Sequence, residues 1–376
     1  MNATAARRMR LHAMFRKESM QILRDPSSIA IAFVMPLFLL LLFGYGVSLD
    51  AKHIRVALVV EQADANTASL SGAFQRSEYF VPVTYRNIQQ ADQALQVHDV
   101  DGIVWLRNDF SNRLLVTGDA PIGVFVNGVD ANQARITQGY IEGVWQTWLL
   151  SYVRGQGHEP TVPVALEPRI WFNAAVRSRD FLVPGLIAII MTLIGAMLTS
   201  MVVAREWERG TMEALMVTPV RIWEITVGKL LPYFVLGMGG MLMSVAMALW
   251  LFEVPLRGSF WALTAASALY MLVALGMGLL ISTVARSQFV AGQIALVATF
   301  LPAFILSGFI FQIDSMPTVI QMITHLVPAR YFVAILQTVF MAGDIWPVLI
   351  ANCAVLLLMM LIFLGLARRN ARKRLD

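Results

Sequence analysis

The residues with the greatest chemical capacity crowd into one short stretch, Arg205 to Pro219, where Arg205, Glu206, Glu208, Arg209 and Glu213 fall within nine positions between two long apolar runs. Glu206, Arg209 and Glu213 lie at spacings of three and four, so a helix here carries one charged face with Glu206–Arg209 and Arg209–Glu213 pairing. Trp207, Met212, Leu215 and Met216 add apolar surface, Gly210 interrupts the helix and Pro219 ends it. A face of this kind does no covalent chemistry. It grips a partner outside the membrane through ion pairs and apolar contact; the competing reading is a solvated connector.

Other chemistry is poorly supplied. The Gly228-Lys229 pair has Trp223 where the first glycine of a phosphate-binding loop belongs and Leu230 where its hydroxyl belongs, so this chain is not expected to hydrolyse ATP alone. His158-Glu159 has no second histidine at zinc-binding spacing, the other histidines are scattered, and no nucleophile elbow occurs. The expectation is therefore no catalytic residues, no metal and no cofactor bound directly. The single Cys353 lies in an apolar run, so no intrachain disulfide can form.

The elements that position the charged stretch belong to a membrane. With 57% apolar and 14% charged residues, the chain lies far from a soluble domain, which carries about 25% charged residues. Six Lys/Arg occur in the first 24 residues and five in the last nine, a topology pattern rather than a nucleic-acid one. Residues 1–28 read as a basic amphipathic helix on the inner membrane face, with Leu11, Met14, Phe15, Glu18 and Ile22 at helical spacing and Arg10, Lys17 and Arg24 among its charges, ended by Asp25-Pro26-Ser27. A positive-inside anchor without defined structure is the plainer alternative.

Six apolar runs are long enough to span: 29–49, kinked at Pro36, then 181–203, 230–252, 260–284, 289–311 and 345–366. Residues 50–180, with 11 Lys/Arg against 14 Asp/Glu, alternate short apolar runs with helical patterns and predict an α/β domain outside the membrane. Residues 204–229 form the charged inner loop, 312–344 outer or re-entrant helices, and 367–376 a basic inner tail. Within the spans as bounded here no Asp, Glu, Lys, Arg or His occurs, which argues against ion-coupled transport. Gly195 and Thr199 make a small-xxx-small pair suited to close helix contact; with Met191, Thr192 and Gln293 they are candidates to line a cavity or dimer face.

Arg205-Glu206-x-Glu208-Arg209-Gly210-Thr211-x-Glu213-x-Leu215, followed by Thr218-Pro219 between the second and third spans, resembles the permease subunits of ABC-2-type exporters. Ser307-Gly308-Phe309-Ile310-Phe311, Met316-Pro317 and Pro328-x-Arg330-Tyr331 support the likeness, which covers nearly the whole chain. It implies an α-helical membrane protein, six transmembrane helices of ABC-2 permease type with an inserted periplasmic α/β domain, in a bacterial inner membrane with both termini cytoplasmic. It also implies that Arg205 to Pro219 form a coupling helix seated in a cytoplasmic ATPase subunit, which holds the ATP and Mg2+. The N-terminal helix would touch the same subunit. A second permease, identical or homologous, would complete a dimer, and a periplasmic membrane-fusion adaptor is a further expected partner. The expected function is export of drugs or other small amphipathic molecules by alternating access. A lipid or polysaccharide exporter of the same build, or a membrane sensor with an outer ligand-binding domain, are the alternatives.

Overall fold

The computed structural model describes residues 3–46, 53–116, 122–129, 131–155, 177–211, 222–285 and 287–370 of the 376-residue chain. It divides into two compact units, a helical one built from Met1–Ser48 with Arg169–Asp376 and a second within Leu49–Pro168.

In the helical unit an N-terminal helix, Ala3–Leu23, stops where Asp25 caps a new helix begun by Pro26. Proline suits a helix's first turn because its missing N–H has no partner there to lose. Among the described residues six helices are long and apolar enough to cross a membrane. The first, Pro26–Gly46, contains a π-turn at Ala30–Val34 just before Pro36. The second is Ser178–Glu208, the third Ile222–Trp250, the fourth Phe260–Val284, the fifth Gln288–Leu306 with a π-turn at Leu296–Phe300, and the sixth Trp346–Asn370. Between the fifth and sixth, Thr318–Thr324 and Pro328–Ala342 form a pair bent by 83°.

The second span is the axis of this unit. Of its apolar window 89% is buried within the chain, against 11% for the sixth, because the first, third, fourth and fifth spans and the bent pair all pack on it. Small residues allow the closest approach: a Cβ at Gly195 would overlap Ala274 of the fourth span, and one at Gly278 would overlap the Ala196 backbone. Gly185 likewise makes room for the Phe309 ring, and Gly308, at φ +84, takes a left-handed conformation that L side chains resist. At the centre, Thr192 and Tyr270 share a hydroxyl hydrogen bond, and Tyr270 stacks on Phe332 at 4.1 Å.

The second unit carries a four-stranded sheet in the order β2-β1-β3-β4, with β1 Ile54–Val60, β2 Phe80–Tyr85, β3 Gly102–Leu106 and β4 Gly123–Val126. β1 is parallel to β2 and β3, and β4 is antiparallel to β3. Alternation along the strands divides the core in two. Val56, Leu58, Val104 and Leu106 face one layer with Leu70, Phe74, Phe110 and Trp148, whereas Ala57, Val59 and Ile103 face Ala91 and Ala94 of helix Ile88–Gln96. Helix Ala65–Arg76 starts in a capping box between Asp64 and Thr67. Helix Phe110–Val116, anchored by buried Phe110, is an element the sequence reading lacked.

Overpacking a helix contact this close costs about 1–3 kcal/mol. Gly195→Leu should therefore lower the melting temperature in detergent, while Gly365→Leu, where an added Cβ meets nothing, should leave it unchanged; equal behaviour of the two variants would contradict the packing.

Candidate functional site

Charge gathers at one end of the helical bundle, where the last turns of the second span meet the first turns of the third. Glu206 is 3% exposed and Lys229 is 4% exposed, and their side chains pair directly. The N-terminal helix brings two further charges to them. Glu18, fully buried, accepts from Lys229 Nζ at 3.0 Å and from Lys17 Nζ at 3.0 Å. Lys17 Nζ also donates to Glu206 Oε1 at 2.7 Å. Two carboxylates and two ammonium groups thus form a closed, neutral cluster drawn from three helices.

Two satellites flank it. Arg205 donates to Asp25 Oδ2 at 2.8 Å, to Ser27 Oγ at 3.2 Å and to Gln288 Oε1 at 3.1 Å, tying the second span to the starts of the first and fifth. On the other flank, Arg10 Nη2 donates to Glu224 Oε1 at 2.9 Å, and the Arg7 guanidinium lies 4.2 Å from the centroid of the Trp223 ring. The N-terminal helix is shaped for this seat: Met14, Glu18 and Ile22 are its buried stripe, and Gly228 leaves room for Met14. Phe15 is half-buried beside the stripe and Arg24 is exposed.

Burial alone would raise the Asp25 carboxyl, but hydrogen bonds from Ser27, Ser28 and Arg205 outweigh it and hold the group at about 2. A depressed carboxyl stabilises the fold above its ordinary pKa, so this contribution is complete above about pH 4 and fades as pH falls toward 2. Lys17 is raised above its usual value: burial opposes the charge, but the hydrogen bond to Glu206 and the two carboxylates prevail. Its contribution is complete below its ordinary pKa and fades as pH climbs through the raised one.

This geometry revises the expected coupling face. The second span continues as one helix to Glu208, so Arg205 and Glu206 point into the bundle and are spent on Asp25, Lys17 and Lys229. Glu206 does not pair with Arg209, because the buried Lys229 and the partly exposed Lys17 already hold its two oxygens. Glu208, Arg209, Gly210 and Thr211 are exposed. Glu208 also accepts the Gln288 backbone N–H at 3.1 Å, and Gly210 turns the chain at φ +69. Glu213, Leu215, Thr218 and Pro219 lie outside the described residues.

The cavity candidates separate in the same way. Met191, Gly195 and Thr199 are taken up by packing inside the chain, Gly195 against the fourth span and Thr199 Oγ1 donating to the Gly195 carbonyl. Thr192 instead lines a largely apolar cavity of about 280 Å³ with Met277, Thr299, Pro302, Val327 and Phe363. Gln293 is exposed on the fifth span. Among the described residues no group of three or more His, Cys, Asp or Glu side chains could hold a metal ion.

A family model described as "ABC-2 family transporter protein" matches residues 26–369. The chain belongs to the ABC-2 transporter family. Across 370 residues this permease is 45% identical to the "Probable multidrug ABC transporter permease YbhS" of Escherichia coli (strain K12), covering 98% of each chain. It is 27% identical over 353 residues to the "Probable multidrug ABC transporter permease YbhR" of the same organism, covering 91% of this chain and 94% of the relative. It is 28% identical over 296 residues to the "Inner membrane transport permease YhhJ", covering 76% and 78%. The ABC-2 resemblance read from the 205–219 stretch is therefore correct, and the permease is a transport protein rather than an enzyme.

Sequence reading missed Asp25, Glu224 and Lys229 as members of the charged site. Asp25 read as a helix stop and Lys229 as a failed phosphate-binding loop. The available signal was their position: each flanks an apolar run, where a charge that cannot reach water needs a partner.

Removing one member of a buried ionic cluster costs about 3–5 kcal/mol because its partner stays buried and unpaired. Lys229→Met should destabilise the permease by this order and expose the N-terminal helix to protease. Adding Glu206→Leu should restore much of the loss, since charge is again balanced; additive losses in thermal unfolding would contradict the cluster.

Proposed function

We propose that the permease is the membrane subunit of an ATP-driven exporter, moving drugs or other small amphipathic molecules outward from the cytoplasm or inner membrane. A cytoplasmic ATPase subunit supplies the energy and holds ATP and Mg2+. Its grip falls on the exposed Glu208–Thr211 turn and the residues following it to Pro219. A second permease, identical or homologous, completes the path, and alternating access is a shift between two packed arrangements biased by ATP on the partner.

The observation that supports this reading is the adjacency of an exposed turn to a buried ionic cluster. Force applied at Glu208 and Arg209 reaches Glu206 and Arg205 within one helical turn. It passes from there to the N-terminal helix and to the first, third and fifth spans, all joined by ion pairs or hydrogen bonds. The printed names of the E. coli relatives support the drug class of cargo. Both termini and the Glu208–Thr211 turn face the cytoplasm in this proposal, with residues 50–180 in the periplasm, where a membrane-fusion adaptor would meet them.

Gly210→Pro removes the positive φ the turn requires. It should abolish stimulation of a co-purified ATPase by the permease while leaving assembly intact; unchanged stimulation would sink the coupling role.

Topology is tested separately. In a Cys353→Ser background, a cysteine at exposed Asn108 should react with an impermeant maleimide added to intact spheroplasts, and one at Asn370 should not. The inverse pattern would reverse the orientation.

A further inference from the structure

The second unit contains a cavity of about 680 Å³ between helix Ala65–Arg76 and helix Ala131–Gly155. That volume lies in the range of pockets holding drug-sized ligands. Its floor is open by construction: Gly139 and Gly143 both line it, and a Cβ added at either would meet nothing within 4 Å. Glycine within a 25-residue helix costs stability relative to alanine, and neither glycine here makes room for a neighbour.

The walls are aromatic. Tyr79 and Tyr140 stack at 4.4 Å on one side, and Trp148 and Tyr152 stack at 5.2 Å farther along the same helix. Trp148 Nε1 donates to Ser69 Oγ at 3.0 Å, which fixes the indole in place. Flat rings held in this way accept another flat ring by offset stacking.

One charge completes the lining. Arg76 folds back along its helix until its guanidinium lies 3.2 Å from where a Gly72 Cβ would stand. Among the described residues no carboxylate pairs with it. A guanidinium offers fork-shaped donors to an oxyanion and also stacks on aromatic faces.

From the aromatic walls, the vacant glycine floor and Arg76, with which no described carboxylate pairs, we infer that this cavity is a binding site for a small planar aromatic anion. Its described lining lies within the second unit, and the assignment is independent of the coupling role proposed above, so failure of either leaves the other standing.

The test uses full-length permease in zwitterionic lipid nanodiscs, titrated calorimetrically with naphthalene-2-sulfonate against protein-free nanodiscs. Saturable one-site binding is expected, together with much weaker binding of the charge-reversed probe 2-naphthylmethylammonium. Arg76→Gln should weaken sulfonate binding about tenfold, the loss of one charge-assisted contact. Gly143→Leu should abolish binding by filling the floor, with a melting temperature equal to or above wild type because a helical glycine is replaced. Absence of wild-type binding overturns the assignment and leaves the groove to the chain's own residues or a second copy. Full binding by Gly143→Leu overturns it as well, as does equal affinity for the two probes.

Discussion

Charge removed from water has to be matched inside the protein, and at one end of the helical bundle that requirement decides how the helices are arranged. Glu18, Glu206 and Lys229 are buried and Lys17 joins them from the surface, so taking any one away leaves the cluster with an unbalanced charge. No helix of the trio can therefore shift far alone. The N-terminal helix has only modest apolar surface of its own, and Glu18 and Lys17 add to the seat that Met14 and Ile22 take in the bundle. Apolar contacts between helices are graded and forgiving, whereas ion pairs in low dielectric are geometrically demanding. The cluster thus sets the register of the bundle, and the glycine contacts between the second and fourth spans set its closeness.

Elements whose identity rests on periodicity were open to reading from the sequence. The alternation of Val56 and Leu58 with Ala57 and Val59 announces a strand covered on both faces, and the apolar runs announce the spans. The Thr318–Thr324 and Pro328–Ala342 pair was legible as broken helices because Pro317 and Pro328 interrupt it. Helix Phe110–Val116 was not legible, because seven residues give too few turns for a helical period to emerge.

The charged site was half legible. Local pattern identifies the Arg205–Glu213 cluster as special, but within a helix the i, i+3 and i, i+4 neighbours are the only partners that pattern can supply. Glu206 takes its partners from positions 189 and 23 residues away in sequence, and nothing local encodes that choice. Gly195 illustrates the same limit from the apolar side: its small size was readable, while the fourth span as the surface it meets was not.

The second span has a mechanical consequence beyond its place at the centre. Its 31 residues run as one α-helix with proline only near its start, giving a rod roughly 46 Å long against a hydrocarbon thickness of about 30 Å. The end bearing Arg205 and Glu206 therefore stands some 20 Å from the rod's midpoint, where Thr192 meets Tyr270. Pivoting about that midpoint by about 5° displaces the charged end by roughly 2 Å, more than half the length of an ion-pair contact. Any tilt of this rod about its Thr192–Tyr270 midpoint would therefore stretch the ion pairs at its charged end before it disturbed the centre.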